Sequence, residues 1–259
     1  MSLRLPEPGT FEDLLRPVRV EVASLVRLSR YPGTEPYWSS GVYRFDDPDP
    51  GRAGEFGTCY TANSIEVAFA ESVIHESGRF VDGAYEVPSA ELTERSVVRF
   101  VCGHRKTLVL ADLTGAALKA LGLNNDISAL ADYSVSQAWA QAIHDADPRW
   151  QGIRYVSRQM NKGFAYAIFE RSGLKRLRSE RLASFAKPSS VTTPKQRRQG
   201  QPGDESTTWP AIRYWPPVSC TSMPMSMYGI RWRLQKRSRS SLATIESSPP
   251  MITSQPLSS

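Results

Sequence analysis

Cysteine is scarce in this chain of 259 residues: Cys59, Cys102 and Cys220 are too far apart, and odd in number, for a disulfide framework or a Cys-x-x-Cys metal pair. That scarcity fits a reducing, cytoplasmic setting. The three histidines, His75, His104 and His144, lack ligand spacing, and no metal site is expected. Long apolar runs are missing too: nothing approaches the ~18 residues of a membrane span, and MSLRLPEPGTFEDLL carries Pro and acids where a signal peptide needs an apolar stretch. A protein with no membrane partner is the expectation. The absence of G-x-G-x-x-G and Walker patterns argues against a Rossmann or P-loop nucleotide site.

Acidic residues are nearly absent from one end only. Residues 187–259 hold 10 Lys or Arg against 3 acids, a net of +7, so residues 1–186 hold 22 bases against 23 acids, a net of −1. The overall +6 therefore belongs to the tail. A neutral folded part gives no reason to expect a nucleic-acid partner for it. The same tail has 10 Pro and 14 Ser in 73 positions, too little apolar surface to offset chain entropy, and disorder is expected there.

What is present before residue 187 is strand and helix patterning. A short amphipathic helix is expected around Phe11 to Pro17, then strands in residues 23–30, in VYRF (42–45) and in GTCYTA (57–62), with DDPDPGRAGE between the last two as a turn-rich insertion. Asn63 and Glu66 have capping-box spacing for the helix that follows. Further strands are expected at 96–102, 106–113, 152–157 and 164–170, with helices in GAALKALGL and over 127–146. Strands come in clusters without regular βαβ alternation, which predicts an α+β class. The chain divides into a helical lead-in (1–19), a domain (20–186) and the tail (187–259).

Glu71 interrupts the apolar run of FGTCYTANSIEVAFAESVIHE. On a helical wheel it flanks the buried stripe, beside Ala68 and His75. Taken alone, a flanking Glu is a solvated helix residue, Arg27 and Arg44 are strand charges, Tyr60 is a core aromatic and Ser157 a strand-end turn residue. Tyr60 and Arg44 each close an expected strand, so neighbouring strands would aim both at the cleft that Glu71 faces.

The ordered blocks VRLSR, YRFDDP, FGTCYTANSIEVAFAES and YSVSQAWAQAIHDADPRWQGIRYVSRQMNKGFAYAIFE together resemble the RES domain, over about residues 20–180. The resemblance implies an ADP-ribosyltransferase-like split β-sheet with flanking helices, and the activity of a bacterial toxin acting on NAD⁺. By position the family Glu falls on Glu71, its Tyr on Tyr60 and its Ser on Ser157, while its Arg has two candidates, Arg27 and Arg44. NAD⁺ is then the substrate, with no separate cofactor. A helix-turn-helix antitoxin is the implied partner, and a homo-oligomer is compatible with it.

Those residue types suit cleavage of the nicotinamide–ribose bond. Breaking it develops oxocarbenium character at the ribose, as in glycoside cleavage, which a fixed carboxylate such as Glu71 stabilises. An Arg grips pyrophosphate through paired charge-assisted hydrogen bonds. Tyr60 is expected to pack against nicotinamide and Ser157 to hydrogen-bond the substrate. Water, phosphate or a protein side chain would serve as acceptor. The alternatives are ADP-ribosyl transfer to a host protein, or an inactive binding domain whose tail docks a partner.

Overall fold

The structure, a computed structural model, describes residues 3–81 and 84–185, together with the strand backbone of 187–188, 225–227 and 230–235. Its strands are β1 (Pro17–Glu21), β2 (Val26–Ser29), β3 (Thr58–Ala62), β4 (Arg79–Val81), β5 (Ala84–Pro88), β6 (Ser96–Val101), β7 (Thr107–Leu113), β8 (Gly152–Val156), β9 (Phe164–Phe169) and β10 (Lys175–Arg181). The helices are α1 (Ile65–Phe69), α2 (His75–Ser77), α3 (Ala90–Thr93), α4 (Gly115–Ala120) and α5 (Ser134–Ala146). The class is α+β.

An eight-stranded sheet runs β1-β7-β8-β9-β3-β2-β6-β10, antiparallel except where β7 lies parallel to β8. Both of its faces are covered, which is why FAYAIF in β9 reads as an unbroken apolar run instead of an alternation. Ala165, Ala167 and Phe169 pack with Trp139 and Ile143 of α5 and with Trp150. Tyr166 and Ile168 point the other way, onto Leu25, Cys59, Phe100 and Leu110. A third cluster seats Val67, Phe69 and Val73 on Val26, Leu28, Ala62 and Val97.

The sheet is split where the chain leaves β2. β2 pairs with β6 over four residues but with β3 only at Val26↔Ala62. Further back along β3, Ser39 and Thr58 exchange both backbone hydrogen bonds, at 2.9 and 2.8 Å. The edge of β3 is thus covered at its two ends and open between them, at Tyr60.

Several expected elements differ. Residues 11–17 hold a single 3₁₀ turn, Glu12–Leu14, because Pro17 commits the chain to the edge strand β1. VYRF is a loop, not a strand: the buried Asp46 carboxylate draws its backbone into a turn by accepting from Val42 N and Tyr43 N. Asn63 does not cap α1. It extends the β3–β9 pairing, its Oδ1 accepting from Phe164 N, and Ser64 caps instead by accepting from Val67 N. The helix expected over 127–146 is a 3₁₀ turn, Asn125–Ser128, followed by α5. β10 lies beyond the strands expected.

Of the tail, Lys187–Pro188, Met225–Met227 and Ile230–Gln235 form strands in a second sheet with β5 and β4. The expectation of disorder otherwise concerns positions outside the described residues, as does Cys220.

One contact fixes the loop after β8 against α1. A Cβ on Gly163 would come within 2.2 Å of Val67 Cγ2 and 3.3 Å of its Cγ1, and a β-branched residue in a helix has no second comfortable χ1. Gly163→Ala is expected to cost about 1–3 kcal/mol through overpacking. Denaturant unfolding checks it; an unchanged midpoint and slope would mean that the loop yields freely.

Candidate active site

The helical segment after β3 is irregular at the residue of interest. α1 passes into a π turn, Ala70–Ile74, before α2, and such one-turn bulges occur often at functional sites. Ser72 Oγ bonds back to Ala68 O at 2.6 Å within this stretch. The far end is held by ionic contacts. Arg95 bridges Glu76 and the buried Glu91, and Glu91 also receives Arg30 and the Ser77 hydroxyl.

Glu71 projects from the π turn toward the loop that follows β8. Its Oε1 accepts from Ser157 Oγ at 2.5 Å and from Gln159 N at 3.2 Å. Ser157 Oγ in turn accepts from Met160 N at 3.0 Å, and Ser157 N bonds to Gly163 O. Among the described residues nothing pairs with Oε2. One carboxylate oxygen is therefore anchored and the other left for a ligand.

A cleft of about 360 Å³ opens over this carboxylate, lined by both sides of the sheet split, by Glu71 and by the 43–44 and 158–159 segments. Arg27, Arg44, Arg95 and Arg158 line it against Glu71 and Glu76; Arg27 and Arg95 are matched by the buried Glu35 and Glu91, so Arg44 and Arg158 are the lining cations without a carboxylate among the described residues. The cleft is suited to an anionic ligand with one cationic or charge-developing centre near Glu71.

The two arginine candidates differ in kind. Arg27 fills the gap in the sheet, donating from Nη1 to the Tyr60 carbonyl at 2.9 Å and from Nε to Glu35 Oε1 at 2.8 Å. Burial opposes its charge, but the Cys59 and Glu35 side chains outweigh that and its pKa is raised. Arg44 has no carboxylate partner among the described residues. It donates to Leu130 O at 2.6 Å and lies over the Tyr133 ring, 4.6 Å from its centroid, and burial lowers its pKa. Arg158 likewise donates to Ala129 O. The carbonyls freed by the break before α5 thus hold the two arginines of the cleft's outer wall.

Tyr60 presents its ring to the cleft, while its hydroxyl points inward, donating to Asp46 Oδ1 at 2.9 Å and accepting from Phe45 N at 2.8 Å. Burial and Asp46 raise its pKa well above the usual phenol range. Tyr155 also lines the cleft; burial first, and the Glu71 charge second, push its hydroxyl strongly up, so it is a neutral phenol there.

Four expected site residues therefore meet in one cleft: Arg27, Arg44, Tyr60 and Glu71. Two expectations are corrected. Arg44 sits on a loop, not at a strand end. Ser157 is fully buried and its hydroxyl is committed to Glu71 and Met160, so it positions the carboxylate instead of reaching a substrate. Sequence reasoning missed Tyr43, Tyr133, Tyr155 and Arg158. Tyr155 had a signal, since it lies two residues before Ser157 in the strand expected over 152–157; Tyr133 and Arg158 had none short of the tertiary fold.

It also missed Asp46. This carboxylate is fully buried and accepts from Ser39 Oγ, Tyr60 OH, Val42 N and Tyr43 N. It fixes the loop that carries Tyr43 and Arg44 to the cleft. Asp46→Asn turns half of that acceptor into a donor facing donors, and is expected to cost about 1–3 kcal/mol. Thermal unfolding checks it, with unchanged stability counting against the assignment.

Among the described residues no group of three or more His, Cys, Asp or Glu has the arrangement of a metal site, and no helix is long and apolar enough to cross a membrane. Residues 21–186 match the family described as RES domain. No curated protein matches the chain. Among solved structures, the crystal structure of the M.tuberculosis MbcT-MbcA toxin-antitoxin complex is similar at 17% identity and a TM-score of 0.44, covering 66% of this chain and 88% of that one.

Proposed function

The chain belongs to the RES domain family, and from that premise we propose that it is the toxin of a bacterial toxin–antitoxin pair and cleaves the nicotinamide–ribose bond of NAD⁺. The observation that carries this reading is the state of Glu71. One oxygen is pinned by Ser157 and Gln159, the other has no partner among the described residues, and the carboxylate stands in a cleft that Arg44 and Arg158 also line.

In the reaction the C1′–N bond breaks and its electron pair leaves with nicotinamide, a neutral base. The ribose is left with oxocarbenium character beside the free oxygen of Glu71. A carboxylate already oriented there stabilises that charge without reorganising as it forms. The Ser157 hydroxyl keeps its proton in the hydrogen bond to Oε1 and holds the anion in place. Arg44, with planar donors and no carboxylate partner among the described residues, grips the pyrophosphate, assisted by Arg158. Tyr60 and Tyr155 supply ring surface near the carboxylate. Water or phosphate then adds to C1′, the acceptor's proton passing to solvent.

The test is direct. Purified protein is incubated with NAD⁺, with and without phosphate, and nicotinamide release is followed by chromatography. Release in buffer or phosphate supports degradation of NAD⁺, and the product formed identifies the acceptor. Release only on adding cell extract, with label retained on protein, would assign ADP-ribosyl transfer instead. No release under any condition would leave a binding domain.

A further inference from the structure

Arg27, Arg52, Arg95 and Arg154, each buried or partly buried, pair with a carboxylate. Among the described residues Arg44 and Arg99 do not; Arg44 faces the cleft and Arg99 lies on β6. Arg171 has no carboxylate within ion-pair distance among the described residues either. It donates from Nη1 to Asp147 O at 3.4 Å and from Nη2 to the ring nitrogen Nε2 of His144. Since a guanidinium only donates, that nitrogen must accept, which leaves Nδ1–H to donate to Asp145 Oδ1. The imidazole is neutral, its pKa lowered chiefly by burial. It therefore cannot balance the arginine, whose own pKa burial also lowers.

Arg171 lines a second concavity of about 280 Å³ with Arg105, Arg149, Pro148 and Gln151. Gln151 is 8% exposed. Its side-chain oxygen accepts from Val109 N at 3.0 Å, which orients the side chain and leaves its amide donors without a protein partner among the described residues. Arg149 lies over the Trp150 ring and pairs with Asp147; Arg105 is exposed on the turn between β6 and β7 and has no ion pair among the described residues. The lining itself holds three guanidiniums and no carboxylate, with Asp145 and Asp147 acting on Arg171 from beside it. Gln151 precedes β8 and Arg171 follows β9, whereas Ser157 and Gly163 flank the opposite end of the same hairpin. Five residues of strand separate the two ends by about 17 Å, so the concavity is not an extension of the cleft.

We propose that this concavity is a second, non-catalytic anion site that takes a phosphate group, free or as a phosphomonoester. Planar donors from Arg105, Arg149 and Arg171 would hold its oxygens, with the Gln151 amide closing the floor. The positive lining suits a phosphate, and charge-assisted bonds to it would compensate Arg171, a partly buried guanidinium with no carboxylate at ion-pair distance among the described residues.

Inorganic phosphate and AMP are titrated by calorimetry into the full chain, into Arg44→Gln and into Arg105→Gln/Arg149→Gln, at constant ionic strength held with chloride. Arg44→Gln is expected to retain a phosphate-binding event that the double variant loses, with affinity falling at least tenfold. AMP binding more tightly than phosphate would indicate a phosphomonoester. Both substituted residues are exposed; should the double variant unfold, each single variant is expected to weaken the same event about threefold. A double variant that binds phosphate as the parent does, or a parent with no event outside the cleft, overturns the proposal. The readout is binding, so it stands or falls separately from NAD⁺ cleavage.

Discussion

Glu71→Gln is expected to keep the fold and to lower nicotinamide release by about 10²–10³, the usual cost of deleting one strong electrostatic contact to the transition state. The substitution is nearly isosteric. A glutamine Oε1 still accepts from Ser157 Oγ and Gln159 N, so the π turn and the loop after β8 stay joined. What is lost is the negative charge on the oxygen that faces the cleft. Because that charge matters most as the oxocarbenium ion forms, the loss is expected in kcat with KM changed little. Circular dichroism and denaturant unfolding of the variant establish that the fold is intact. A folded Glu71→Gln protein with near-parental turnover would remove Glu71 from the chemistry.

Arg27→Ala is expected to cost about 3–5 kcal/mol of stability, the range for removing one partner of a buried ion pair. Glu35 has a side chain only 2% exposed and would be left as an uncompensated buried carboxylate. The Tyr60 carbonyl, at the open stretch of the β3 edge, would lose its donor as well. Arg44→Ala removes a guanidinium held, among the described residues, by one carbonyl and one ring. Its effect is expected on NAD⁺ affinity, with stability within about 1 kcal/mol of the parent, since no buried charge is stranded. Denaturant unfolding and NAD⁺ titration of the two variants separate the roles. Equal stability losses would refute the division into a sheet-bridging Arg27 and a ligand-facing Arg44.

The α+β class and most of the strands were legible because apolar periodicity reports local structure directly. SVVRFVC, KTLVLADL, GIRYVS and FAYAIFE each carry the β-branched and aromatic content of buried strands, and β6 to β9 lie where those runs are. Glu71 stood out as a carboxylate within an apolar helix, and it lies in the cleft. The loops were less legible. VYRF has strand composition, yet Asp46 three residues after Tyr43 outweighs it by offering four acceptor contacts that a strand would not satisfy. No local rule weighs one buried carboxylate against four residues of propensity.

By itself the sequence singled out the side chains expected to carry the chemistry, through their type and their order along the chain, together with the family to which that order belongs. The tertiary structure decided what each of them touches. Ser157 and Glu71 are 86 positions apart, so only the closure of the β8–β9 hairpin on α1, allowed by the missing Cβ at Gly163, could turn an expected substrate contact into a support for the carboxylate. Likewise Arg27 and Arg44 are equivalent as residues and differ only in what surrounds them. A guanidinium that faces a buried carboxylate is spent on the fold, and one that faces open cleft retains its donors for a ligand.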